Sequence, residues 1–419
     1  AVARALRHTY AHVFLDEVQD VTRLQLELVR TCFPSGTARL TAVGDDRQRI
    51  MVWAGAEPKV FGWLRRRYDV VKRELVLNHR AGGRLLEIQH TLMQSLDGTA
   101  PAPVVARKER AGEGRCAVWT FPSCDAEARA LAGFVGELVN DGVEPHDVCI
   151  LTRMRVPLLA PPLIRALGDL GIAARNEEEF QEVQREPVPQ LCRALVSLAI
   201  RTRSPQEFEH VCELVEHATR GRGRGRDASS LVRAVATQLA ARLESASSDE
   251  AAVEFVLDEA VSRLFGNLAT LASHVRPRQS LEDARRTLAS AANLLARCRQ
   301  ESRSWRDAVD RFDGHRVVPI MTVHKSKGLE YDTVVFVGLE DDAWWSFLKQ
   351  PEEERRTFFV AFSRAKRRAL FTFSDVRERD GGLKVQRRAK VDSLYELLRN
   401  AGVPTVNSPD HAARAQMRS

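Results

Sequence analysis

Apolar residues follow two rhythms along this chain. Short apolar runs end in polar clusters near both ends, and a long central stretch carries helical spacing instead. Val13-Phe14-Leu15 leads into Asp16-Glu17 and predicts a buried strand over 13–16. Leu24, Leu28 and Cys32 then fall on one face of a helix that stops at Pro34. Residues 38–44 predict a second strand, with Leu40 and Val43 apolar, running into the loop Gly44-Asp45-Asp46-Arg47-Gln48. A strand over 75–77 ends in Asn78-His79-Arg80, and a helix over 83–97 and a proline-containing loop over 99–103 follow. Strands over 116–121 and 148–152 flank a helix at 125–140. From 188 to 312 the pattern is helical, as in Leu281, Leu288, Ala292 and Leu295, broken by the basic glycine loop Gly221–Arg226. Strands return at 317–323, 333–339 and 369–374, with a helix over 352–366.

Strands alternating with helices mark parallel α/β sheets whose functional loops lie at the strand ends. The expected class is therefore α/β: two modules, with an all-helical domain inserted into the second. The boundaries are 1–72 for the first module, 73–187 and 313–402 for the two segments of the second, and 188–312 for the helical insertion. Residues 403–419 are polar and expected to be a disordered tail. No internal repeat is evident.

Composition narrows the classes. At 44% hydrophobic and 28% charged, 419 residues can bury real cores in two to four domains. No run approaches the ~20 apolar residues that span a bilayer, so no membrane role is expected. The first residues make no signal peptide and lack an initiating Met, which suggests an internal starting point. A net charge of +7 and an excess of Arg over Lys suit phosphate contacts without demonstrating them. The seven cysteines form no Cys-x-x-Cys pair, which argues for a reduced, cytoplasmic protein and against a zinc or iron–sulfur site.

Several residues carry candidate chemistry. Asp16 and Glu17 at a strand end can hold hydrated magnesium and orient an attacking water beside a nucleoside triphosphate; an Asp that caps a helix fits the same place. Gln48 can sense a γ-phosphate. Trp53 can stack on a base or sit in the core. Arg80 and Arg364 can clamp a phosphoryl group or be ordinary surface arginines. Thr322 and His324, with the backbone amides of a Lys-Gly turn at Gly328, suit phosphate, and Glu330 can accept from a ribose hydroxyl. The loop Gly221–Arg226 is either a basic hairpin for duplex phosphates or a solvated connection.

Taken in order, these elements resemble the UvrD/Rep/PcrA family of superfamily 1 DNA helicases. Asp16-Glu17-Val18-Gln19-Asp20 is similar to motif II, Val43 through Ala56 to motif III and Leu77-Asn78-His79-Arg80 to motif IV. Met321 through Asp332 is similar to motif V, and Glu353 through Lys366 to motif VI. The resemblance implies two RecA-like parallel-sheet motor domains, the first incomplete, around an all-helical accessory domain. It also implies 3′-to-5′ translocation and unwinding, driven by ATP with Mg²⁺, on single-stranded and junction DNA. Asp16 would bind Mg²⁺ and Glu17 would activate water. Gln48, Arg80 and Arg364 would contact the γ-phosphate, with Gly328 and Glu330 on the nucleotide side. Trp53, Thr322 and His324 would face DNA.

The chain departs from the family at several positions. His79 stands where a Tyr usually stacks on adenine, and Met51 and Ala54 replace a usual Tyr and Arg, while Arg47 and Arg49 add charge nearby. No Gly-Lys dipeptide occurs, so the phosphate-cradling loop Gly-x-x-x-x-Gly-Lys-Ser/Thr is not among these residues. We therefore expect the C-terminal part of a UvrD-class motor that is by itself a poor ATPase. The alternatives are a non-hydrolysing DNA- or partner-binding module, or a split helicase completed by a protein that carries the P-loop. No nuclease motif follows residue 375.

Overall fold

The computed structural model describes residues 1–201, 204–219, 227–245, 249–275, 280–379 and 382–418. The basic loop Gly221–Arg226 lies outside them. The chain divides into one compact unit of Ala1–Ala174 with Ile320–Ser419, and a second of Arg175–Pro319. The helical insertion is thus wider than 188–312, because the helix Glu177–Gln184 packs with the helices that follow it.

In the first unit, β1 (His12–Leu15) and β2 (Arg39–Ala42) form a two-stranded parallel sheet. Next come β3 (Leu77–Asn78), β4 (Val104–Val105), β5 (Arg115–Phe121) and β6 (Val148–Thr152). Two strands, β7 (Ala174–Asn176) and β8 (Val318–Thr322), straddle the division, and β9 (Tyr331–Val337) and β10 (Ala365–Ser374) follow. The last are β11 (Val376–Arg379), β12 (Gly382–Val385) and β13 (Thr405–Asn407). The main sheet has seven strands in the order β13-β5-β10-β9-β6-β8-β7, and the pairs from β13 to β8 are parallel. This is the doubly covered α/β sheet of a RecA-like domain: β6 is buried at every position, and the apolar residues of one sheet face share a core with the helices Gly83–Leu96 and Pro351–Ser363, while the helix Cys124–Asn140 packs against β5 and β10.

Several expectations need correction. The first strand is not buried: Phe14 is 73% exposed, because the two-stranded sheet packs one face on Val18, Leu26, Val60, Trp63 and Leu64. In the helix Arg23–Cys32 the buried residues are Leu26 and Cys32, while Leu24 and Leu28 face outward; several faces of that helix carry apolar residues, and the small core selects one. The strand expected at 75–77 shrinks to β3, with Leu75 exposed.

The tail is ordered as well. β13 adds to the edge of β5, and the helix His411–Arg418 is held by Arg368, whose guanidinium donates to the Met417 carbonyl at 3.0 Å and the Arg418 carbonyl at 2.6 Å. Backbone pairing and carbonyl capture are blind to side-chain polarity, so composition could not reveal them.

The second unit is built of helices. Those spanning Pro187–Ile200, Ala228–Ser245, Glu250–Phe265 and Leu281–Gln300 share one core, closed by Trp305, Val309 and Phe312. Arg193 joins its polar side, bidentate to Asp313 at 2.8 and 2.7 Å and bonded to Glu207 at 2.8 Å. All seven cysteines are free thiols, five of them buried, which fits small core residues. No helix among the described residues is long and apolar enough to cross a membrane.

Candidate functional site

The site lies in the first unit, where loops leave the carboxyl ends of β1, β2 and β8 and where the helix Pro351–Ser363 hands over to Arg364. After β1 the chain turns sharply: Glu17 adopts φ 49°, and its amide donates to Asp16 Oδ1 at 2.8 Å. Asp16 and Glu17 both remain exposed. Glu17 is steadied by the side-chain amide of Gln19, whose own oxygen accepts from the Asp45 amide at 3.1 Å. Gly44 is required here, since a Cβ would strike the Gln19 side chain and Val18. The β1 and β2 loops are thereby locked together.

Gln48 links three elements. Its amide nitrogen donates to Asp45 Oδ2 at 3.3 Å, and its oxygen accepts from Arg364 at 2.9 Å. Its carbonyl accepts from Lys327 at 3.0 Å. The Lys327 ammonium also pairs with Asp20 and lies 3.5 Å from Glu17. Burial raises the Asp20 carboxyl above its ordinary range, against the pull of Lys327.

Arg364 is 2% exposed, and among the described residues its guanidinium meets only neutral acceptors: the Val360 and Leu329 carbonyls, the Ser363 hydroxyl and Gln48. Burial pushes its pKa down to about 10, with the nearby Arg80 adding to the shift. It therefore keeps its charge at neutral pH without an ion-pair partner among the described residues. Arg80 does have partners, Glu330 at 2.7 Å and the Ser363 carbonyl at 2.9 Å. Glu330 also receives Lys366 at 3.0 Å, and its carboxyl is held low mainly by Arg80. Gly328 sits at φ +81°, a left-handed position suited to glycine, and is exposed.

The structure thus brings Glu17, Gln48, Arg80, Glu330 and Arg364 into one network, with Asp16 and Gly328 at its rim. Trp53 is 73% exposed, so it is not a core aromatic. Thr322 ends β8, and His324 follows it half-buried; burial and the nearby Arg153 push its pKa down to about 4, so it is neutral at physiological pH. Arg47 and Arg49 do not offer free charge, because they pair with Asp45 at 2.7 Å and Asp46 at 3.6 Å. Sequence reasoning passed over Gln19, Asp20, Ser363 and Lys327. All four lie inside the motif stretches, but only folding shows which of their side chains point inward.

Comparison with known proteins agrees with this layout. The UvrD/REP helicase N-terminal domain family matches residues 1–69, and the UvrD-like helicase C-terminal domain family matches residues 176–375. The chain is 24% identical over 389 residues to the ATP-dependent DNA helicase UvrD2 of Mycobacterium tuberculosis, covering 87% of this chain and 48% of that protein. It is 34% identical over 93 residues to the ATP-dependent DNA helicase Rep of Escherichia coli K12, covering 22% of this chain and 14% of Rep. A probable DNA helicase II homolog of Mycoplasma capricolum is 27% identical over 149 residues, 35% of this chain and 20% of that protein. The chain spans about half the length of the UvrD2 proteins it matches.

Proposed function

We propose, for a chain that belongs to the UvrD/Rep family of DNA helicases, that its first unit forms the ATP- and DNA-responsive part of a motor moving 3′-to-5′ on single-stranded DNA. The observation that carries this is the hydrogen bond from Arg364 to Gln48, 2.9 Å long and 316 residues apart in sequence, which ties the helix-end arginine to the β2 loop.

The residues fit a nucleotide. Arg80, Arg364 and Lys327 supply positive charge, and among the described residues the buried Arg364 has no anion of its own. Among the described residues no cluster of three or more His, Cys, Asp or Glu could hold a metal. Magnesium needs less, since it is ordinarily bound by one or two carboxylates with phosphate oxygens, and the exposed Asp16 offers one. When bound, ATP with Mg²⁺ supplies the phosphoryl group whose transfer drives the motor. Glu17 would orient and deprotonate the attacking water, with Gln19 setting its direction. Gln48, Arg80 and Arg364 would receive the γ-phosphate, Arg80 by exchanging Glu330 for it. Gly328 and Glu330 would line the nucleotide, Glu330 toward the ribose. Trp53, Thr322 and His324 would meet the DNA strand, single-stranded or at a junction.

Because no Gly-Lys dipeptide occurs in the chain, we expect weak ATP turnover from it alone and strong turnover with a P-loop-bearing segment supplied, in cis or by a partner protein. Single-strand-DNA-stimulated ATP hydrolysis tests this directly. With the P-loop segment present, Glu17→Gln should lower the rate by about 10²- to 10⁴-fold, the usual contribution of a general base. Turnover surviving that change removes Glu17 from the mechanism. No turnover, with DNA binding intact, would favour a non-hydrolysing binding module.

His324 gives a second test. Its neutral imidazole would meet a phosphate by hydrogen bonding alone. His324→Ala should weaken single-strand binding by the same factor at pH 6 and pH 8, read by fluorescence anisotropy. A larger loss at pH 6 would mean that the imidazole binds in its charged form.

A further inference from the structure

Trp344 and Trp345 are adjacent in sequence and opposite in environment. The Trp344 indole is fully buried, with ring centroids 5.6 Å from Phe336 and 6.2 Å from Phe358, and Phe347 beside it is buried too. Ser346 bonds the buried Glu354 carboxylate, which the Arg153 guanidinium grips at 2.7 and 2.8 Å. The turn is therefore anchored on both sides of Trp345, at residue 344 before it and residues 346 and 347 after it. Trp345 itself is 50% exposed.

That exposed indole is held in place. Its Nε1–H donates to the Met154 sulfur at 3.0 Å, and the Lys349 ammonium lies 5.8 Å from its ring centroid. Met154 sits just past the end of β6, where Thr152 pairs with Thr322 and its carbonyl accepts from the Val323 amide at 3.0 Å. Arg153, between them, is among the charges that act on His324. Arg155, at φ 64° and exposed, follows directly. Trp345 is thus bonded to the segment that follows β6, beside the strand end that carries Thr322 and His324, with the Lys349 ammonium near its ring.

We propose that Trp345 is a base-stacking platform for single-stranded DNA, adding a second aromatic contact to the strand path that Thr322 and His324 begin. This rests on the DNA-binding reading above. A flat, half-open indole on a rigid turn meets a nucleobase with little ordering cost, and any base will serve, because stacking reads the π-face rather than the base edge. Arg155 and Lys349 would follow the phosphates.

The test compares two labelled oligonucleotides of equal length, one oligothymidylate and one abasic throughout, by fluorescence anisotropy on the full chain. Trp345→Ala should weaken oligothymidylate binding by about 5- to 150-fold, leave the abasic strand unchanged and so reduce the base-dependent preference. Trp345→Phe should keep most of it. An unchanged preference in Trp345→Ala, or equal losses on both strands, would overturn the platform while leaving DNA binding standing. Wild-type protein that binds neither strand would overturn the DNA-binding reading as well, so the two failures are distinguishable.

Discussion

Arg364→Met is expected to lower DNA-stimulated ATP turnover by about 10³-fold or more, in a preparation supplied with the P-loop segment, while leaving the protein about as stable as wild type. The argument is electrostatic. Arg364 carries a charge at 2% exposure, and among the described residues it bonds only carbonyl, hydroxyl and amide oxygens. Burying a cation without a counter-ion is costly, and the fall of its pKa to about 10 reports that cost. Methionine fills much of the same space and removes the charge, so the lost hydrogen bonds are offset by the lost desolvation penalty. Catalysis has no such offset. A fixed guanidinium aimed where phosphoryl charge develops is worth several powers of ten, and a thioether contributes none of it. Thermal melts and steady-state hydrolysis measure the two effects. A variant that keeps turnover within tenfold of wild type would place Arg364 outside the reaction, and one that unfolds would make it structural.

The largest stability effect is expected at Arg377. Its guanidinium bridges Glu127 at 2.6 and 3.0 Å and Glu340 at 2.6 Å, all three side chains buried. Arg377→Met leaves two acids facing each other without their cation, a change that should cost about 3–5 kcal/mol at pH 8. The pH dependence has a definite sign. Burial lifts Glu340 from its ordinary value to about 7 even with Arg377 present. A carboxyl raised on folding stabilises fully below its unfolded pKa and loses that contribution as pH climbs through the folded one. Wild-type stability should therefore decline from about pH 5 toward pH 8, and Arg377→Met should decline more steeply, because neither acid retains its counter-ion. Near pH 5 Glu340 is protonated and the cost of the substitution should shrink. Urea denaturation at the two pH values reads this. A penalty independent of pH would mean that Glu340 does not titrate in this range in the variant. Replacing all three residues by Gln, Met and Gln should come out near neutral, as buried ion clusters often do.

Much of this was legible in the sequence, for a local reason. Asp16-Glu17, Gln48, Asn78-His79-Arg80, Thr322 through Glu330 and Arg364 each sit where an apolar strand or helix ends, and strand ends are where α/β sheets place their chemistry. The central helices were equally plain, because a 3.6-residue period survives without knowing what it packs against. The order of the motifs along the chain carried the family.

What the sequence could not hold is partnership. Arg80 with Glu330, Lys327 with Asp20 and Arg364 with Gln48 are separated by 250, 307 and 316 residues, so no local pattern pairs them. The same gap explains the errors. Phe14 read as core because it is apolar, but a two-stranded sheet packs only one face, and Leu24 read as core by its helical spacing, but the small core takes Leu26 and Cys32 instead. Residues 405–407 read as a disordered tail because they are polar, but a strand is held by backbone groups that every residue except proline carries in full. Residue type and spacing determined which elements form and which chemistry they bear. Only the tertiary structure decided which face is covered, which charge is neutralised and which, like Arg364, is buried with none, because desolvation and Coulomb pairing depend on distances that exist only after folding.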